Sequence, residues 1–279
     1  MNKAKRCLAS IRVKGIFMKK SIKALALAAV LALSLGALAG CSSNSSSSDD
    51  LGLVNEGKLT IVTSPDYPPF ENLNDDGEAE GFEIALAGAI ADKMGLELQV
   101  ETMQFDGIVT AIAAGGKYDM GITGLSVTPE RAEQINFTNS YYVDDLSCAV
   151  MKDSGITSDS VDADLNKKGV VIAVQSGTTG EAYAQENYPK ATIKAYGNSN
   201  DCFAALNAGQ ANAALTNAAV VASMLNSYTD AEIVKSVATG EEYAAAINLD
   251  NQALLDAVNA AITELQEDGT IDELLKEWM

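Results

Sequence analysis

Short β-branched runs alternate with alanine-rich helical stretches along most of this chain, and that rhythm restricts the fold more than any other feature. LTIVT (59–63) reads as a buried strand, and FEIALAGAIADKMG (82–95) places apolar residues at helical spacing before a terminating glycine. LELQVE (96–101) returns to strand, FDGIVTAIAAGG (105–116) to helix and YDMGIT (118–123) to strand. The second half repeats this with strands in LSCAVMK (146–152), GVVIAV (169–174), TIKAY (192–196) and ANAALT (211–216). Helices are expected in QSGTTGEAYAQENY (175–188), DCFAALNAG (201–209) and AAVVASMLNS (218–227), and two more within 251–278. EIVKSV (232–237) and EYAAAI (242–247) read as two further strands. Strands and helices of these lengths imply βαβ units and mostly parallel sheets, an α/β class.

A faint echo hints at two lobes built alike. GKYDMGIT (116–123) and GQANAALT (209–216) each carry a Thr seven residues after a Gly, and each follows an alanine-rich helix. Ligands of open α/β sheets bind beyond the carboxyl ends of strands. That rule points to Thr123-Gly124 in one lobe and Thr216-Asn217 in the other.

The first forty residues have a different character. They hold eight Lys and Arg and no acid, and they run from MKKSIK through the apolar ALALAAVLALSLGAL (24–38) into LAGC (38–41). A basic start, a short apolar stretch and small residues before a cysteine indicate a secretory signal, expected to begin at Met18. LAGC resembles a bacterial lipobox, with cleavage before Cys41 and lipid on its thiol. SSNSSSSDD (42–50) is a polar, low-complexity tether. The signal is thus 1–40, and the lipidated cysteine with its tether is 41–52. The product would be extracytoplasmic and held to the membrane by lipid on Cys41.

Subtracting those eight from 19 cations leaves 11 against 38 acids, a mature charge of −27. Nucleic acid, which needs a basic footprint, is excluded as a partner. The absence of His removes Ser-His-Asp and Cys-His nucleophiles and His-ligated metals. No CxxC, P-loop or dinucleotide-binding glycine motif occurs, so no catalytic residue, cofactor or metal is expected. Cys148 and Cys202 read as two unpaired thiols.

Within this acidic chain Arg131 is the only arginine after residue 40. It follows Thr128, Pro129 and Glu130, a good N-cap, N1 and first-turn series. A cation in a first turn opposes the helix dipole, which suggests a role outside the helix. TGLS (123–126), just upstream, offers hydroxyls and backbone groups beside the guanidinium. That set suits a carboxylate held bidentately. Pairing with Glu130 or Glu133 is the alternative, and spacing alone does not choose between them.

TSPDYPPFE, GFEIALAGAIADKMGLELQ, FDGIVTAI, GLSVTPERAEQINFTNSYY and VIAVQSGTTGEAYAQENYP, in that order, resemble the polar-amino-acid-binding solute receptors of ABC importers. The resemblance spans about residues 57–278. It implies a two-lobe periplasmic-binding-protein-like fold, joined by two crossing strands and closing on one small ligand. The lobes would be 53–140 plus 243–279 and 141–242, with hinges near 139–143 and 238–243. By the same resemblance, Arg131 clamps the ligand carboxylate, and Ser126 and Gly124 contact its carboxylate and amine. Tyr67 and Phe105 form aromatic walls, while Ser64 and Thr123 line the pocket. Gln175, Thr178 and Thr179 form a second-lobe corner whose free N–H groups favour an anion. Phe70 is assigned to the core.

One position departs from the family. Asn217 stands where an Asp usually pairs with the ligand ammonium. Asp66, Asp106 or Glu181 could serve instead, or the ligand could be another small carboxylate. The expected protein is therefore a monomeric, lipid-anchored receptor that presents a polar amino acid or related carboxylate to permease subunits. The rival readings are an enzyme of the same fold acting on a small carboxylate and a ligand-sensing domain.

Overall fold

The computed structural model describes residues 51–279. The signal segment, Cys41 and the tether up to residue 50 lie outside the described residues. Two five-stranded sheets carry the fold. The first is ordered Glu97–Thr102, Lys58–Thr63, Met120–Gly121, Ala246–Asn248, Ile135–Phe137. The second is ordered Thr192–Tyr196, Val171–Gln175, Ala213–Asn217, Tyr142–Met151, Ala231–Tyr243.

Both sheets start in the same way. A buried central strand is flanked on each side by a parallel neighbour, as βαβ units require. The two Gly-to-Thr echoes are the third strand of each sheet, so the similarity reflects a shared winding. The expected mostly parallel sheets are mixed beyond that point. The last two strands of each sheet pair antiparallel: Ala246–Asn248 and Tyr142–Met151, which follow or make the crossing between the lobes, run against the parallel set, and the edge strands Ile135–Phe137 and Ala231–Tyr243 run with it.

Tyr142–Met151 and Ala231–Tyr243 pair from Tyr142↔Tyr243 to Met151↔Ala231, with irregularities between Ile233 and Lys235 and between Val237 and Glu241. EIVKSV and the start of EYAAAI are thus one interrupted strand. At its end Tyr141 N donates to Tyr243 O and Ala244 N to Leu125 O, which ties the two crossings to each other and to the loop after Met120–Gly121. YDMGIT yields only Met120–Gly121 as strand; Asp119 before it accepts from Val54 N and Thr60 N, and Thr123 after it reaches the site.

Helix Phe82–Met94 ends where Gly95 takes the left-handed conformation (φ 69°), as its position in the sequence predicts. It packs with Gln252–Glu267 and Thr270–Trp278 on one face of the first sheet. Ile108–Ala114 covers the other face with Val62, Leu125 and Ile135. On the second sheet, Thr179–Asn187 and Val161–Leu165 cover one side; Ser199–Asn207 and Ala218–Met224 cover the other. Cys148 and Cys202 are buried and free, and burial pushes both thiols up to about 12.

An aromatic cluster fills the junction of the lobes. Phe70 is fully buried, with the Tyr142 ring at 5.1 Å, Tyr243 at 5.2 Å and Phe82 at 6.3 Å, all edge-on. Such contacts add to the burial of large apolar area. Among the described residues no helix is long and apolar enough to cross a membrane.

Phe70→Ala removes the ring common to these contacts and leaves a cavity at the crossing strands. A loss of about 3 to 5 kcal/mol is expected. Urea unfolding should show a lower midpoint with an unchanged slope.

Candidate ligand site between the lobes

The carboxyl ends of the two central strands face each other, and the residues beyond them meet across the seam. In the first lobe the turn after Lys58–Thr63 leads to the short strand Asp66–Tyr67, which pairs with Glu71–Leu73. Tyr67 is thereby fixed pointing at the second lobe. Its Oη lies 2.9 Å from Thr216 Oγ1 and donates to Asn217 Oδ1 at 2.5 Å.

Asp66 makes the second bridge. Its carboxylate accepts from Ser64 Oγ at 2.6 Å, Gln175 Nε2 at 3.0 Å and Ser199 N at 2.6 Å, and Ser199 Oγ donates to its backbone oxygen. Burial raises its pKa against these stabilising bonds. These donors engage both carboxylate oxygens, Oδ1 by Ser64 and Oδ2 by Gln175 and Ser199. Glu181 accepts from Gly177 N, and Asp106 is exposed, its Cβ 3.1 Å from where a Cβ on Gly177 would lie.

Arg131 makes the third. Helix Pro129–Ala132 begins as the sequence predicts, with Thr128 Oγ1 accepting from Arg131 N. The guanidinium leaves this helix and donates to Ser126 O at 2.6 Å and, across the seam, to Gly177 O at 3.0 Å. Its Cζ stands 5.4 Å from the centre of the Phe105 ring, so Phe105 is a stacking surface for the arginine. Burial lowers the arginine pKa, and the Glu241 charge opposes that shift. No ion pair joins Arg131 to an acid among the described residues, so pairing with Glu130 or Glu133 does not occur.

Beneath the seam Glu71 and Glu83 are fully buried side by side. Glu83 accepts from Gly124 N at 2.6 Å and Tyr141 Oη at 2.5 Å. Burial and the Glu83 charge hold Glu71 well above the usual carboxylate range. Thr123 Oγ1 donates to Glu71 and accepts from Ser64 N, so Thr123 braces the pocket floor. Gly124 has φ 53°, and a Cβ there would lie 3.0 Å from Tyr67 ring carbons. Only glycine allows that approach without strain.

On the second lobe, Thr178 caps helix Thr179–Asn187 through Glu181 N and donates to Gln175 O at 2.8 Å. Asn217 occupies the N-cap position of Ala218–Met224, yet its side chain makes no cap bond. Asp144 accepts from Ala219 N instead, which releases the Asn217 amide toward the seam. There it meets Glu241, a residue absent from the sequence-based candidates. Glu241 Oε2 accepts from Ser126 Oγ at 2.7 Å, Thr179 Oγ1 at 2.8 Å and Asn217 Nδ2 at 3.1 Å. The acids in TGEEY, at an expected hinge, were the available signal for it.

Among the described residues this seam contains one guanidinium, two carboxylates bonded to both lobes (Asp66 and Glu241), two aromatic rings and several hydroxyls. It can hold a small polar molecule with separated charges. The model of the bacterial extracellular solute-binding proteins, family 3, matches residues 59–279. ABC transporter arginine-binding protein 1 of Escherichia coli (strain K12) is 30% identical over 226 residues, 79% of this chain and 90% of that protein. The arginine-binding extracellular protein ArtP of Bacillus subtilis (strain 168) is 31% identical over 246 residues, 87% of this chain and 92% of that one. An ancestral arginine-binding protein bound to arginine has a similar structure (TM-score 0.74, 32% identity, 80% of this chain and 98% of that chain).

Asp144 carries a pH signature. Burial, with the charges of Asp145 and Glu241 adding to it, raises this carboxyl from 3.8 to about 6. The folded state therefore keeps a proton that the unfolded chain has lost, and this group's contribution makes stability fall as pH rises from about 4 to about 6. Asp144→Asn should flatten that part of the melting-temperature profile, measured by calorimetry across pH 4 to 7.

Proposed function

The chain belongs to the family 3 bacterial extracellular solute-binding proteins, and on that premise we propose that it captures a polar L-α-amino acid between its lobes and delivers it to an ABC permease. As in its relatives, the activity is that of an amino-acid-binding protein of a transporter. The observation that carries the proposal is the position of Arg131. Its guanidinium is desolvated between backbone carbonyls of both lobes and is paired to no acid among the described residues.

A ligand carboxylate offers that guanidinium two charged acceptors in place of two neutral ones, and charge-assisted bonds are roughly twice as strong. Ser126, Gly124, Thr178 and Thr179 supply the remaining polar contacts, and Tyr67 and Phe105 wall the side chain. Tyr67, Asp66 and Arg131 each bridge the seam, so a ligand between them favours the closed arrangement. The permease would read that closed form. The lobes are assigned to 53–140 plus 243–279 and 141–242.

Delivery needs the receptor near its membrane partner. Lipid on Cys41 would supply this, with the ten residues 41–50 reaching at most about 35 Å when fully extended. Cys41→Ser is expected to abolish incorporation of a clickable fatty acid and release the protein from the membrane fraction.

The binding reading is tested by thermal shift on purified protein, unfolded and refolded to strip carried-over ligand, against the twenty amino acids, cystine and small carboxylates. A ligand that binds the native state raises the midpoint by mass action. Arg131→Lys keeps the charge but loses the planar fork, and should weaken the responding ligand by about one to two orders of magnitude. A panel in which no amino acid raises the midpoint refutes the proposal.

A further inference from the structure

Asn217 is uncharged, yet a carboxylate lies against it. Glu241 comes from the crossing strand Ala231–Tyr243, and alternation along that strand sets its direction. Tyr243 is buried at the junction and Glu242 is exposed on the opposite face, so Glu241 turns inward with Tyr243. Its Oε2 gathers donors from both lobes, Ser126 from the first and Thr179 and Asn217 from the second.

The Asn217 amide is held at both ends. Tyr67 Oη donates to its oxygen and its nitrogen donates to Glu241. Asn217 therefore orients the carboxylate and offers a ligand amine little of its own. Arg131 and Glu241 feel each other's charge without forming a direct ion pair. One positive and one negative group held apart in one seam match a molecule that carries both charges.

We propose that Glu241 is the specificity-determining residue for the ligand's amine, so that this site takes zwitterionic amino acids and rejects their amine-free counterparts. The inference rests on the binding reading above and names the ligand class for that site. An ammonium entering beside Glu241 finds a carboxylate already oriented by Asn217. Ser126 Oγ can turn from donor to acceptor to join it. An amine-free acid instead brings a second negative charge toward Glu241 and leaves that carboxylate without a counter-charge. Like charges in a desolvated site disfavour each other strongly.

The test compares matched probes by titration calorimetry: arginine against 5-guanidinopentanoic acid, and glutamine against 4-carbamoylbutanoic acid. The native protein should prefer the amino form of the probe it binds by at least about tenfold, which is about 1.4 kcal/mol. Glu241→Gln should lose about tenfold or more for the amino form while the amine-free form binds equally or more tightly. Glu241→Asp, which keeps the charge, should retain part of the preference, and Asn217→Asp added to Glu241→Gln should restore it. Equal weakening of both forms by Glu241→Gln, or a native protein that does not distinguish them, overturns the assignment while leaving the receptor reading intact. If neither pair nor any other amino acid binds the native protein, the receptor reading itself fails, and the assignment with it. Should Glu241→Gln not fold, Glu241→Asp and Asn217→Asp decide the matter, the former by keeping the preference and the latter by strengthening it.

Discussion

The structure depends on polar groups finding their partners across a seam between two separate sheets. Asp66 Oδ2 is satisfied by Gln175 and Ser199, which approach from the second lobe. Tyr67 Oη needs Thr216 and Asn217, and Arg131 needs the Gly177 carbonyl. A buried polar group left without a partner costs on the order of 1–3 kcal/mol. Closure is therefore tightly coupled to geometry, since a small displacement of either lobe breaks several of these bonds together.

Apolar packing holds the frame on which that seam is built. The Phe70 cluster joins the crossing strands to the first lobe, and Tyr243 contributes to it while the same strand carries Glu241 into the site. Motion at the crossing is thus linked to the position of a charge. Beneath it, the Glu71–Glu83 pair fixes Thr123 and Gly124 from below. Putting two carboxyls there is expensive: burial and the Glu83 charge hold Glu71 well above the usual carboxylate range, and Glu83 accepts two short hydrogen bonds.

Charge is distributed with similar economy. Residues 41–279 are strongly acidic, yet among the described residues Arg131 alone of the cations bridges the lobes at the seam. Asp144 takes over the helix cap that Asn217 could have made, and that exchange lets the Asn217 amide orient Glu241. The cap residue Thr178, by contrast, performs its local role and lines the corner as well.

Local physics was legible in the sequence. The alternation of short apolar strands with alanine-rich helices determined the class, because period and length distinguish these elements without tertiary information. Thr128-Pro129-Glu130 announced the helix that carries Arg131, and an arginine set against a helix dipole was visible as an anomaly. The resemblance then supplied roles for Tyr67, Ser126 and Asn217, which the fold brings into one seam. Glu241 was not legible: its partner Ser126 is 115 residues away, and irregular pairing between Val237 and Glu241 hides which face it takes. The reversed strand of each sheet, Ala246–Asn248 and Tyr142–Met151, was also hidden, since its direction is set by the crossing between the lobes. Sequence by itself determined the elements and the one unusual cation. Which acid stands beside Asn217 in the seam was decided by tertiary structure alone, because that choice rests on contacts between segments far apart in the chain.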